Sequence, residues 1–394
     1  MTDDERTAAR RRTGPRGGST NARRSSDDPR DNQRFLTVIV EQCLSPVPGG
    51  TGRYAFEIAT ALAATAPDGW RVRSVTAWHR DISAARIAGV DGPHRLPAGH
   101  RMLNRLWQRA LPPWVRGNAV HATTPLAPRR LDRAVVTVHD AVPWTHPETL
   151  SPQGVAWHKV LVGRAVTRAK AVVVPSRAVA DDLLGLFPAA SSRIHVVPHG
   201  VTEMVPPADA AKRRDRLGLA GPYLLSVATL EPRKGLDVLI AALALPASNG
   251  ATLAIVGQPG WGGVDLPALA GAAGLAPNRV RVLGRLSDED LASAIQGAGA
   301  LVAPSRSEGF GLPVLEAFAA GTPVICSDAP ALVELSAGAA LVVPREDAAA
   351  LAGAVAEVIG NAELADGMRR CGLDRAADFS WTRAATALWS LHLA

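Results

Sequence analysis

The chain has 394 residues, 47% hydrophobic and 20% charged, with a formal charge of +7 and a pI near 10.0. That length allows roughly two to three domains of ~100–200 residues, and the composition excludes a small stapled scaffold, a fibrous protein and a wholly disordered one. Three widely spaced cysteines, Cys43, Cys326 and Cys371, make neither a disulfide framework nor a zinc-site spacing, which points to a reducing cytosol. Only four lysines stand among the 43 basic residues, and the arginines are scattered among acids with no nucleic-acid module signature. No apolar run reaches the ~18 residues of a membrane span, and the N-terminus lacks the apolar stretch of a signal peptide. The expectation is a cytoplasmic protein with no nucleic-acid partner.

Residues 1–34 carry nine arginines and six acids among Gly, Ser, Thr and Pro without apolar periodicity, and read as a disordered basic tail. From Phe35 onward short β-branched runs alternate with Ala- and Leu-rich helical stretches. FLTVIV, a helix from about residue 51 to 65, RVRSVTA, AVVTV at 134–138, AVVVP at 171–175 and RIHVVP at 193–198 make a first parallel α/β series over 35–200. A polar, Pro-containing stretch at 200–215 separates it from a second series over 201–380. That series has strands at YLLSVA, LAIVG, RVRVLG, ALVAPS, PVICS and ALVVP. Ser287 with Asp290 resembles a capping box at the start of the helix DEDLASAIQ. Two Rossmann-like domains in succession place ligands beyond the carboxyl ends of their strands, in the cleft between them.

The segment SRSEGFGLPVLEAFAAGTPVICSD at 305–328 joins a strand to a helix and a further strand. Gly309 and Gly311 permit a tight turn, Pro313 suits the first helical position, and the free amides there form an anion site. Glu308 precedes the turn and Glu316 follows in the helix. Carboxylates accept hydrogen bonds from neighbouring hydroxyls, so two of them flanking a phosphate site suit a ligand that is sugar at both ends. Read singly, Glu316 complements the helix dipole and Glu308 caps a loop. A second basic loop, with Arg233 and Lys234 after Glu231 and Pro232, follows a strand and precedes a helix, where two cations can meet a diphosphate. SPVPGGTGRY at 45–54 is a glycine turn between the first strand and helix but lacks G-x-G-x-x-G, which excludes a nicotinamide-binding Rossmann site. His139 and Asp140 end a buried strand at the cleft. His146, His158 and His199 read as structural, while Ser176 and Arg177 could face the cleft, although an N-cap accounts for Ser176 equally well.

The spacing E-G-F-G-L-P-x-x-E followed by A-x-G-x-P-V-I resembles the donor-binding signature of family-four glycosyltransferases of the GT-B fold. The resemblance runs over roughly residues 36–390, is strongest at 223–345 and weakest at 77–130, where an acceptor would be read. It implies two facing Rossmann-like domains with a cleft between them, and a helix at 381–394 returning to the first. By that resemblance the reaction is a metal-independent, retaining transfer of a sugar from a nucleoside-diphosphate donor, without a bound cofactor, to a glycan or lipid-linked acceptor. Glu316 holds the ribose, and Glu308 with His139 positions the sugar. Arg233, Lys234 and the turn Phe310, Gly311 and Leu312 receive the diphosphate; Gly284, Arg285 and Leu286 flank the base; Gly49 and Gly50 lie near the phosphate and acceptor. Many family members carry an arginine where this chain has Thr229, so Arg233 and Lys234 remain as the expected clamp.

The loop form T-L-E-P-R-K is similar to that of envelope-polysaccharide mannosyltransferases, which favours GDP-mannose over UDP-linked glucose or N-acetylglucosamine. A nucleotide-sugar epimerase and a non-catalytic sugar-nucleotide binder are the rival readings; the intact set Glu308, Glu316, Lys234 and His139 weighs against the binder. Arg101, Arg105 and Arg109 recur every four residues beside Met102, Leu106 and Trp107. Either a helix lying on the inner face of an anionic membrane or a partly buried helix with one solvated basic face produces this pattern, and the second is preferred. The run Asp288, Glu289, Asp290 reads as a helix N-terminus rather than a metal site.

Overall fold

The computed structural model describes residues 33–248 and 250–394, so the tail expected over 1–34 lies almost wholly outside the described residues. The first domain is built on β1 (Arg34–Ile39), β2 (Trp70–Trp78), β3 (Asp91–Gly99), β4 (Ala119–Ala122), β5 (Ala134–Thr137), β6 (Ala171–Val174) and β7 (Ile194–Val196). They form one parallel sheet in the order β3-β2-β1-β4-β5-β6-β7. The second domain carries β8 (Leu224–Val227), β9 (Leu253–Val256), β10 (Val280–Gly284), β11 (Ala300–Ala303), β12 (Val324–Ser327) and β13 (Leu341–Val343). These too are all parallel, in the order β10-β9-β8-β11-β12-β13. In both orders the chain starts in the middle, runs to one edge and then returns to build the other side. The reversal creates a crevice at the carboxyl ends of the strands.

The short strands are apolar on both faces because helices cover both. β4, β5 and β6 are buried along their whole length, as are β9 and β12. In the first domain Leu103, Trp107, Leu161 and Leu183 pack one face of the sheet, while Ile58 and Leu62 pack the other. The C-terminal helix Trp381–Leu393 joins that second group through Ala385 and Leu388, and Trp389 Nε1 donates to the Leu62 carbonyl (3.1 Å). The last helix of the chain therefore packs in the core of the first domain. In the second domain Leu239, Ile240 and Val355 cover one face, and Leu315, Phe318 and Ile295 the other.

Strands β3 and β4 fall in the stretch where the sequence pattern is weakest. β3 reads DGPHRLPAG and holds two prolines and two glycines, composition that argues against a central strand. It lies at the sheet edge, where a missing N–H on the outer side breaks no ladder. β4 is only four residues long and its centre is His121.

Candidate active site at the domain junction

Sheet order explains which loops meet. β8 and β11 are neighbours, so the loops leaving their carboxyl ends lie side by side. The first makes a single turn at Pro232–Lys234, and the second runs to the helix Leu312–Ala319. Lys234 Nζ donates to Glu308 Oε1 (2.7 Å), Ser305 Oγ donates to the same oxygen (2.8 Å), and Arg233 donates to Oε2 (3.3 Å). Burial opposes the Glu308 charge, but Lys234 and then Arg233 outweigh it and hold the carboxyl at about 2. Thr229 Oγ1 and Arg233 both donate to Glu231 Oε1 (2.9 Å each). Thr229 thus helps Glu231 aim the Arg233 guanidinium at Glu308. Gly311 opens the helix at φ +105°, a conformation that excludes a side chain there, and Pro313 is the second helical residue rather than the first. Phe310 and Leu312 bury their side chains, so what they offer a ligand is mainly backbone.

In the first domain β5 pairs with β6, which sets His139 and Ser176 just beyond the ends of adjacent strands. His139 Nε2 donates to the Thr123 carbonyl (2.8 Å), and burial pushes its pKa down, so the ring is neutral with its proton on Nε2. The second domain touches here. A Cβ on Gly309 would lie 1.8 Å from the His139 carbonyl oxygen, so only glycine allows this approach. Ser176 caps its helix by accepting from Val179 N (3.3 Å), as expected, and also donates to the Gly309 carbonyl (2.8 Å). Glu334 of the second domain accepts from the Arg177 and Ala178 amides (2.8 and 3.0 Å). His199, read from sequence as merely structural, is buried at the same junction. Its ring centroid is 5.5 Å from His139, 4.9 Å from Phe310 and 4.4 Å from Tyr54.

Glu316 is not brought to Lys234 or Arg233. It is the fifth residue of its helix, its side chain only 5% exposed, and its partner is Arg53 of the first domain, whose Nε lies 3.3 Å from Oε1. The same guanidinium donates to Asp288 (2.9 Å). Burial, the largest effect, pushes Glu316 up to about 7; Arg53 pulls it down, and Asp288 and Glu57 add to the rise. Arg53 escaped the sequence reading although it stands three residues after Gly50, whose own Cβ position would be 3.5 Å from Leu312. Asp288 begins the helix Asp288–Gly297, and Ser287 accepts from the Asp290 amide (3.1 Å). The Asp290 carboxylate turns to Arg213 (2.9 Å), so only half of the expected capping box forms. At the end of β10 Leu286 packs on the core and Arg285 is exposed. In the helix His100–Gln108 Leu103 and Trp107 face the core, while Arg101, Met102 and Arg105 are exposed.

The arrangement is a domain junction in which two cations gather on an ionised carboxyl beside a helix start, the turn at Gly309 abuts the backbone of the neutral His139, and a second, elevated carboxyl lies further along the same helix. Such a set can neutralise a diphosphate and grip hydroxyls on either side of it. Residues 48–203 match the model of Glycosyltransferase Family 4, and residues 209–373 match that of Glycosyl transferases group 1. O-antigen chain mannosyltransferase B of Escherichia coli is 30% identical over 271 residues, covering 66% of this chain and 70% of that protein. Sucrose-phosphate synthase from Thermosynechococcus elongatus superposes with a TM-score of 0.73 at 22% identity, over 92% of this chain and 98% of that one. HepE of Anabaena, solved with UDP and glucose, superposes with a TM-score of 0.70 at 20% identity, over 91% and 99%. The chain is a member of the family-four glycosyltransferases and has their GT-B fold.

Proposed function

We propose that the protein is a retaining, metal-independent hexosyltransferase that moves mannose from GDP-mannose to a hydroxyl of a glycan or lipid-linked acceptor in cell-envelope polysaccharide synthesis. The observation that carries the donor site is the convergence of Arg233 and Lys234 on Glu308 beside the helix start at Gly311. Without donor, carboxylate and cations neutralise one another. A diphosphate takes the cations and frees Glu308 to accept sugar hydroxyls, so one exchange serves both ends of the donor. Glu316 holds the ribose, the end of β10 flanks the base, and His139 lies against the transferred sugar. The bond from the anomeric carbon to the diphosphate oxygen breaks as the acceptor oxygen bonds to that carbon on the same face. The acceptor proton passes to the departing diphosphate, whose charge Arg233 and Lys234 stabilise.

The loop form T-L-E-P-R-K and the likeness to an O-antigen mannosyltransferase support mannose. A UDP-sugar is the second reading, favoured by the fold neighbour that holds UDP and glucose. Buried Leu103 and Trp107 with exposed Arg101 and Arg105 fit the preferred partly buried helix with a solvated basic face, and exposed Met102, Leu111 and Trp114 beside those arginines favour contact with the cytoplasmic face of an anionic membrane as a further role of that face. Thermal stabilisation by GDP, UDP, dTDP and their sugars tests the donor site, since a ligand specific to the folded chain raises Tm. The largest shift is expected with GDP-mannose; no shift with any nucleotide rejects the site, and a shift confined to UDP-sugars replaces mannose by the second reading.

A further inference from the structure

A second cavity, of about 870 Å³, shares a wall with the donor site. Glu231 and Pro232 line it, while Lys234, two residues on, lines the recess that contains Glu308. Both domains contribute. The first supplies His146, Glu148 and Thr149, from the segment that follows His139, and the second supplies loops beyond β8, β9, β11 and β13. The cavity is thus at the carboxyl ends of the strands, beside the transfer point, and its size lies in the ~300–1,000 Å³ range of small-molecule sites.

Its charge is one-sided. Five carboxylates, Glu148, Glu231, Asp237, Asp265 and Glu346, face two arginines, and both arginines are already engaged. Arg306 makes a two-pronged pair with Asp237 (2.9 and 2.7 Å) and bonds Glu346 (2.9 Å), while Arg345 bonds Asp328 (2.8 Å). All three nitrogens of Arg306 are engaged and Arg345 keeps only Nη2 for a new partner, so an incoming phosphate would meet one partly available guanidinium against five carboxylates that repel it. Each carboxylate retains lone pairs for further hydrogen-bond donors, and Glu148 is exposed. Between them lie Val264 and Leu269, partly exposed apolar wall against which the C–H face of a sugar ring can rest. Glu346 has φ +61°, an uncommon conformation for a residue with a side chain, held at the rim by its bond to Arg306.

We propose that this cavity is the acceptor subsite and that it receives the end of an uncharged, hydroxyl-rich glycan rather than a phosphorylated or otherwise anionic acceptor. The proposal rests on the donor site described above, because only a donor bound at Arg233 and Lys234 makes the adjoining space the acceptor's. It adds a wall from the second domain to an acceptor region that the sequence places in the first. Ala268, exposed on the helix Leu266–Ala272, lines the cavity without bonding across it through its side chain, so a bulky replacement fills space rather than disturbing the core.

The test is an array of neutral, phosphorylated and carboxylated oligosaccharides probed with the full chain in the presence of GDP or UDP. Retention on neutral glycans is expected, falling about tenfold or more for Ala268→Trp. A smaller loss is expected for Glu148→Gln, with nucleotide Kd and melting temperature unchanged in both variants. Preference for anionic glycans, wild-type retention by both variants, or retention on no glycan at all overturns the proposal. A wild-type chain that binds neither nucleotide overturns the donor site instead.

Discussion

Glu316→Gln is expected to make the protein more stable and its donor site weaker, with a pH dependence that follows from where the carboxyl sits. Buried between Arg53, Asp288 and Glu57, Glu316 titrates at about 7 against an ordinary 4.5. Its raised folded-state value means that its contribution to stability is fully present below 4.5, declines as pH rises, and is lost above about 7. The span corresponds to about 3 kcal/mol, which the wild-type chain forgoes at pH 8 and which the always-neutral glutamine does not. At pH 5.5 the gain shrinks to about 1 kcal/mol. Urea denaturation of both chains at the two pH values measures this. Nucleotide Kd at pH 8 should meanwhile rise about tenfold, the scale of lost hydrogen bonds to a charged group. A glutamine variant no more stable than wild type at pH 8, or a gain that does not shrink at pH 5.5, refutes the electrostatic account; unchanged Kd removes Glu316 from the ribose. Arg53→Gln tests the same carboxyl from the other domain, moving the pH below which donor affinity is lost upward by about one unit.

Lys234→Met leaves Glu308 buried with one cation fewer, and should cost roughly 3–5 kcal/mol of stability together with donor binding; calorimetry showing a near-neutral change would mean that Arg233 suffices. Gly309→Ala drives a methyl group into the His139 carbonyl, so transfer should fall at least tenfold while each domain stays folded. Small-angle scattering should then report a wider molecule, and an unchanged profile with wild-type activity would show that the contact is not needed for closure. His139→Ala should abolish transfer with nucleotide Kd retained, and because burial keeps the ring neutral, wild-type activity should show no inflection from this group near its ordinary 6.5; a mutant that transfers normally rejects its role.

Much of the fold was legible because it rests on local pattern. Buried parallel strands are short continuous apolar runs, and YLLSVA, LAIVG and PVICS announce themselves whatever packs on them. Glu308, Gly311, Pro313 and Glu316 lie within a few residues of one another, so their common turn could be read from spacing. β3 was not legible, because an edge strand tolerates prolines and polar residues that a central strand excludes. His199 reads from sequence as structural and is buried, but nothing around it in the chain shows that the rings it packs on are Phe310 and Trp381.

The sequence by itself determined the two strand and helix series, the glycine-bounded helix start and the chemical types that surround it. Tertiary structure decided who neutralises whom. Lys234 and Glu308 meet because β8 and β11 are adjacent in the sheet, and Arg53 reaches Glu316 and Asp288 because two domains close on each other. Burial and Coulomb interaction depend on distance in space rather than along the chain, which is why one glutamate is held near 2 and the other is pushed to about 7 although both lie in a single motif.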